Sequence, residues 1–184
     1  MTDEERMQRL AREVLVENPW HRYCRDRYVQ PDGTEGEYFY VDMPGSCASI
    51  PVFDDGTVAL VRVRRYLLGL DLWELPIGGM KAGEDPLDVA KKELREEAGL
   101  VASDWVELGY FAPYKGVSNE RCHAFLARGL QQVPQELEAS EHITVHRMPI
   151  EEGRRTLLDQ ECGDGQSMAA LMLLDRWLAA GNAL

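Results

Sequence analysis

The sequence has few cysteines and no closely spaced pair of them. The four are widely separated and form no Cys-x-x-Cys motif; they are Cys24, Cys47, Cys122 and Cys162. Structural zinc sites and dithiol redox motifs use closely spaced thiols, so this spacing argues against both. We expect reduced thiols, as in a cytoplasmic protein.

Basic residues are also scarce. The chain has 20 Lys and Arg against 32 Asp and Glu, a formal net charge of −12. This charge repels the backbone of a nucleic acid, which argues against long polynucleotides as partners. It also repels a small anionic substrate, unless divalent cations or local arginines reverse the field where that substrate binds.

Long apolar runs are missing as well. No stretch approaches the ~20 apolar residues that a membrane-spanning helix needs, and residues 1–6 are charged rather than apolar. We therefore expect a cytoplasmic protein that has no membrane partner.

The 184 residues, 45% of them hydrophobic, predict one globular domain with a small N-terminal extension. Residues 1–18 are compatible with an initial helix, whereas the β-branched content of 13–17 favours a short strand. Two aromatic-rich segments at 26–29 and 37–41 flank a turn-rich stretch and predict a β-hairpin. A second hairpin is predicted from 49–53 and 58–64, joined by Asp-Asp-Gly.

Apolar residues then recur at helical spacing. Leu87, Ala90, Leu94 and Ala98 are three or four residues apart, which predicts a helix over 85–98 that ends at Gly99. Strand-like segments follow at 105–112, 123–127 and 143–147, and helical periodicity returns at 167–178.

The predicted helix over 85–98 carries three glutamates close together. Glu93, Glu96 and Glu97 project toward one side of it, and their mutual repulsion would be relieved by a hard divalent cation such as magnesium or manganese. The alternative is a solvated acidic face balanced by neighbouring lysines and arginines. The helix alone does not distinguish the two interpretations.

The spacing of the whole segment resembles the Nudix box. A glycine, five residues, a glutamate, seven residues and a basic-Glu-aliphatic-x-Glu-Glu-x-Gly-aliphatic run are matched by Gly78, Glu84, Glu93, Leu94, Glu96, Glu97, Gly99 and Leu100. Eight matches at fixed offsets make chance agreement remote. Lys92 stands where the family normally has arginine, which keeps the charge but loses the planar fork of a guanidinium.

The resemblance implies an α/β Nudix fold, with a mixed β-sheet between helices and an N-terminal β-hairpin extension. It also implies a metal-dependent attack of water on the phosphorus of a substituted diphosphate. Mg²⁺, or alternatively Mn²⁺, would be held by Glu93, Glu96, Glu97 and the backbone carbonyl of Gly78. Glu93 and Glu97 would be catalytic.

Segments outside the box resemble the subgroup that hydrolyses ADP-ribose and nucleoside diphosphate sugars. These are Glu74-Leu75-Pro76 before the box, Pro113 after it, and the N-terminal hairpin. In that subgroup the hairpin helps to build a homodimer. We therefore expect an extension over 1–44 and a Nudix domain over 45–184, with a small nucleoside diphosphate sugar as the substrate.

Further site residues are implied by position in the family. Glu141, with Glu138 as a weaker option, is the candidate that activates water, and an ordinary loop glutamate is the alternative. Arg64 and Arg65 are candidates for binding phosphate or ribose, or for pairing with nearby acids.

Trp20 and Glu120 are candidates for contacting the substrate, while packing and a turn are the respective alternatives. The four histidines show no ligand spacing.

Two competing functions remain: hydrolysis of another nucleotide, and a nucleotide sensor without turnover. Glu74-Leu75-Pro76 argues against the first, and the intact box glutamates argue against the second.

Overall fold

The computed structural model describes residues 7–137, 139 and 142–184. Within them the chain forms strands grouped in three small sheets, followed or interrupted by helices. The strands are β1 Arg9–Glu17, β2 Arg22–Val29, β3 Glu35–Asp42, β4 Ser46–Pro51, β5 Thr57–Arg65, β6 Leu70–Glu74, β7 Ile77–Gly79, β8 Leu100–Phe111, β9 Cys122–Gln132 and β10 Ile143–Pro149. The helices are α1 Pro86–Ala98, α2 Ile150–Asp159 and α3 Gly165–Ala179.

The N-terminal segment forms an antiparallel sheet in the order β1-β2-β3. The turn between β1 and β2 is closed by Asn18, whose Oδ1 accepts from the backbone N–H groups of Trp20 and His21, each at 2.9 Å. The predicted pairing of β2 and β3 is confirmed, and residues 9–17 are strand rather than helix. Residues 1–6, where a helix was the alternative, lie outside the described part.

Strand β5 is the central strand of the sheet β10-β5-β6 and is buried on both faces. Val58 and Leu60 belong to a core cluster with Leu157 of α2 and with Ala170, Leu171 and Leu174 of α3. The alternate residues Ala59, Val61 and Val63 pack with Leu94 and Ala98 of α1. Successive side chains of a strand point to opposite faces, so helices cover both sides of the sheet. This arrangement confirms the predicted α/β/α layering.

The predicted hairpin of 49–53 with 58–64 is wrong in its pairing, although both strands form. Beyond the single bridge of Val52 with Val58, β4 pairs with β7 and β9, while β5 pairs with β6 and β10. Because β4 and β5 are almost fully buried, each needs ladder partners on both edges. Separate sheets provide those partners, whereas a two-stranded hairpin does not.

No helix in the described ranges is long and apolar enough to cross a membrane.

The N-terminal sheet contacts the rest of the chain through the loop after β8. Val41 donates a 2.8 Å backbone hydrogen bond to the carbonyl of Val117, and the side chain of Asn119 donates to Asp42 at 2.6 Å. The turn after β1 and the loop between β7 and α1 line the same cavity.

Candidate active site

Helix α1 is capped at both ends by residues of the box segment. The side chain of Asp85 accepts hydrogen bonds from the backbone N–H groups of Leu87 and Asp88. Gly99 ends the helix at φ 60°, a left-handed conformation in which a side chain is disfavoured, and its N–H bonds to the last carbonyls. Glu84 accepts from the N–H of Lys81 at 2.6 Å and so closes the loop before the helix.

Strand β7 lies directly against the acidic face of α1. A Cβ atom added to Gly78 would collide with the side chain of Glu93, whereas one added to Gly79 would meet nothing within 4 Å. Glycine at position 78 therefore permits the close approach of the strand to the glutamate. Gly78, whose carbonyl is predicted to bind the metal, therefore lies beside Glu93.

Glu97 is the most buried of the three box glutamates, with 6% of its surface exposed. Its Oε2 accepts a hydrogen bond from the backbone N–H of Ile77 at 2.8 Å. Its own carbonyl accepts from the side-chain amide of Gln135 at 2.6 Å, just after β9. The carboxylate is thus fixed between α1 and β7.

Lys92 contacts the other two box glutamates. Its Nζ lies 2.7 Å from Oε2 of Glu96 and 3.2 Å from Oε1 of Glu93. These hydrogen bonds, chiefly the one to Glu96, raise the pKa of Lys92 above its usual range. A positive charge therefore already lies between two candidate metal ligands.

The donor set suits a hard divalent cation. Carboxylates on adjacent turns of α1 are oxygen ligands of the kind that magnesium and manganese prefer, and two of them already share a cation, the ammonium of Lys92. In the part of the chain that the structure describes, no three His, Cys, Asp or Glu side chains already surround one position. A metal ion bound by all three glutamates would require their side chains to converge, and Glu96 now pairs with Lys92.

Arg65 forms a bidentate pair with Glu74. Its Nε donates to Oε1 of Glu74 at 2.6 Å, and its Nη2 also pairs with that carboxylate. The bonds to Glu74 raise the pKa of Arg65, and the charges of Glu97 and Asp164 add to this effect. Burial raises the pKa of Glu74 even though Arg65 opposes the shift. The guanidinium therefore lies in the same electrostatic neighbourhood as the box glutamate Glu97.

Arg64 points away from Arg65, as adjacent residues of a strand do. Its Nη1 pairs with Oδ1 of Asp71 at 3.2 Å, and both side chains are about half exposed. The structure brings Arg65 toward the box helix and leaves Arg64 on the outer side, with Arg62 as a neighbour at Asp71.

Glu120 is buried, with 5% of its surface exposed. Its Oε1 accepts from the hydroxyl of Ser46 at 2.6 Å and lies 3.4 Å from the amide nitrogen of Gln166. Sequence reasoning missed Ser46 and Gln166, because the contacts join residues 46, 120 and 166, far apart in the chain. Asp164, which caps α3, was missed too, although an acid just before an apolar helical pattern is a recognisable signal.

Trp20 lies at the turn after β1 and is 75% exposed. It lines a cavity of about 770 Å³ between the N-terminal sheet and the box loop, together with Met80, Lys81, Glu84, Asn119 and Arg121. Core packing, the alternative for this aromatic, does not apply within one copy of the chain. Glu141 and Glu138, the candidates for activating water, lie outside the described residues.

Comparison with known proteins agrees with the assignment of the Nudix box. A model of the NUDIX domain matches residues 43–169. An ADP-ribose pyrophosphatase of Mycobacterium tuberculosis is 34% identical over 151 residues, 80% of this chain and 73% of that protein. An ADP-ribose pyrophosphatase of Bacillus subtilis is 29% identical over 155 residues, 81% of this chain and 84% of that protein.

A solved structure supports the same fold. The crystal structure of an ADP compounds hydrolase superposes with a TM-score of 0.80 at 18% identity and covers 97% of both chains. At this identity the likeness concerns the fold alone. Taken with the domain match and the sequence relatives, it leads to one conclusion: the chain belongs to the Nudix family of hydrolases.

Proposed function

We propose that this hydrolase cleaves the pyrophosphate bond of ADP-ribose or of a related nucleoside diphosphate sugar, giving a nucleoside monophosphate and a sugar phosphate. The observation that carries the proposal is the fixed acidic face of α1, where Glu97 is bonded to Ile77 and Glu93 packs on Gly78. The names of the two bacterial relatives favour ADP-ribose as the substrate.

Nudix hydrolases generally use divalent metal ions. We assign Mg²⁺, with Mn²⁺ as a substitute, to Glu93, Glu96, Glu97 and the carbonyl of Gly78. When bound there, such an ion lowers the pKa of a bound water and offsets the negative charge that develops on the phosphoryl oxygens. We assign proton transfer to Glu93, Glu97 or Glu141.

Arg65 is the preferred phosphate-binding residue in this proposal. Glu74 holds its guanidinium in one orientation through the bidentate contact, which reduces the entropy lost on binding an anion. Arg64 is assigned a contact with the phosphate or ribose of the substrate on the outer side of the strand. This contact requires its side chain to leave Asp71. Glu120 is assigned a polar contact with the substrate, with its carboxylate oriented by the hydrogen bond from Ser46.

The cavity beside Trp20 is proposed to hold the nucleoside end of the substrate. Its volume of about 770 Å³ is within the range of small-molecule sites, and the indole offers a face on which a base can stack. The cavity is bordered by the box loop at Lys81 and Glu84. A diphosphate placed at α1 would therefore extend toward it.

We further propose a homodimer in which residues 1–44 act as the dimerisation extension and residues 45–184 as the catalytic domain. All nine residues of β1 are exposed in the single chain, including Val16 at 61%. An edge strand with exposed apolar side chains favours pairing with another surface.

A cytoplasmic location is also proposed, supported by four cysteines that are all free thiols.

The decisive experiment measures the release of nucleoside monophosphate from ADP-ribose, ADP-glucose, GDP-mannose and a nucleoside triphosphate, each with magnesium and with a chelator. We expect metal-dependent cleavage of the diphosphate sugars, with ADP-ribose the best substrate. Preferential cleavage of the triphosphate would show that nucleoside triphosphates, rather than diphosphate sugars, are the substrate class. Nucleotide binding without turnover of any of them would favour a sensor.

A further inference from the structure

The lysine in the box has a different environment from the other basic residues of its helix. Lys91 pairs with Asp88 at 3.6 Å and Arg95 pairs with Glu136 at 2.7 Å, both directed away from the acidic face. Lys92 instead lies between Glu93 and Glu96, at 3.2 and 2.7 Å. Its ammonium contacts two of the carboxylates that are assigned to the metal.

We propose that Lys92 is an internal counter-cation, which holds the acidic face of α1 together in the metal-free protein and is displaced when a divalent ion binds. This inference rests on the proposed metal site. It assigns to lysine, in place of the family's arginine, a role in setting metal affinity. Lys92 is a positioning residue in this account, because it acts through Glu93 and Glu96.

Three properties of the site support displacement. An ammonium is a compact point charge on a flexible stem, whereas the planar guanidinium of arginine forms a rigid fork with a carboxylate. The side chain of Lys92 is 54% exposed, so it has room to turn into solvent. Glu96 is more exposed than Glu93, at 30% against 13%, and is the carboxylate with more freedom to rotate between the two cations.

The electrostatic consequence has a definite sign. A positive charge within a few ångströms opposes the arrival of a second, divalent charge at the same oxygens. Without that ammonium the carboxylates of Glu93, Glu96 and Glu97 repel one another more strongly. Removal of the Lys92 charge should therefore tighten metal binding and destabilise the metal-free fold.

The first measurement is the dissociation constant for Mn²⁺, from the electron paramagnetic resonance signal of the free ion. It compares the wild type with Lys92→Gln, the charge-retaining Lys92→Arg and the neighbouring control Lys91→Gln. We expect Lys92→Gln to bind Mn²⁺ about tenfold more tightly than the wild type. Lys92→Arg should bind it more weakly, because the rigid guanidinium fork is harder to displace, and Lys91→Gln should stay within about threefold of the wild type. Equal or weaker binding by Lys92→Gln would overturn the inference.

The second measurement is the melting temperature of the same proteins, with a chelator and with saturating Mg²⁺. Lys92→Gln should melt below the wild type with the chelator, and Mg²⁺ should abolish the difference, since ligand binding stabilises the folded state. An equal deficit in both conditions would indicate an ordinary structural role and overturn the proposal. Failure of the wild type to hydrolyse ADP-ribose while these two results hold would refute only the proposed substrate.

Discussion

The buried carboxylate of Glu97 accepts a 2.8 Å hydrogen bond from the backbone N–H of Ile77. This contact joins the last turn of α1 to the strand that leads into the glycine-rich loop. It occupies one of the about four acceptor positions of an ionised carboxylate. One residue thus connects the stability of the site to its chemistry.

Replacement of Glu97 should separate these two roles. Glu97→Gln keeps an acceptor for Ile77 and almost the same volume, so we expect the free energy of unfolding to change by less than about 1 kcal/mol. Turnover of ADP-ribose should fall by about a hundredfold or more, because the amide neither accepts a proton nor neutralises a metal ion. Steady-state kinetics and chemical denaturation measure the two effects. The control is Glu136→Gln, an exposed acid paired with Arg95, and equal loss of activity there would contradict the assignment.

Gly78 should be intolerant of any side chain, in contrast to its neighbour. In Gly78→Ala the new methyl group collides with Glu93, and overpacking of this kind costs about 1–3 kcal/mol. The displaced Glu93 should also lower the turnover number at saturating metal. Gly79→Ala adds the same methyl group where nothing lies within 4 Å, and should change stability by less than about 0.5 kcal/mol. Similar effects of both variants on unfolding would show that the contact with Glu93 is unimportant.

Local signals in the sequence were sufficient for the box helix. The spacing of Leu87, Ala90, Leu94 and Ala98 and the stop at Gly99 predict α1 almost residue for residue. Such signals do not predict which partners each carboxylate contacts. The bond from Ile77 to Glu97 depends on how β7 packs against the helix, and the periodicity of the helix contains no information on that packing.

The errors in the sequence prediction have the same origin. A short turn between β4 and β5 favours a hairpin locally, but burial of both strands brings them other partners. Helix α2 was missed because it is only ten residues long and contains Gly153, a residue of low helix propensity, in its first turns. The buried contact of Glu120 with Ser46 joins segments that are 74 residues apart.

Loss of Arg65 should make stability depend on pH. In Arg65→Met, Glu74 stays buried without its cation, so its pKa should rise further above the ordinary value of 4.5. Between 4.5 and the raised value the folded state binds more protons than the unfolded state, so stability falls as pH rises through this window. The deficit relative to wild type should be small near pH 4.5 and larger at neutral pH, as measured by denaturation across pH. In Arg64→Met, whose partner Asp71 is exposed, the deficit should be nearly independent of pH.

The exposed strand β1 predicts a dimer that a single charge can dissociate. Val16 is 61% exposed in one copy of the chain, and burial against a second copy would account for an apolar side chain at that position. Sedimentation at micromolar concentration should give about twice the chain mass of 20.9 kDa for the wild type and the single-chain mass for Val16→Glu. Leu158→Glu, at a similarly exposed position on α2, should remain dimeric. A monomeric wild type would refute the dimer. A Val16→Glu variant that remains dimeric would show that the interface lies elsewhere than at Val16 of β1. A carboxylate buried without a partner in an apolar contact would otherwise destabilise the dimer.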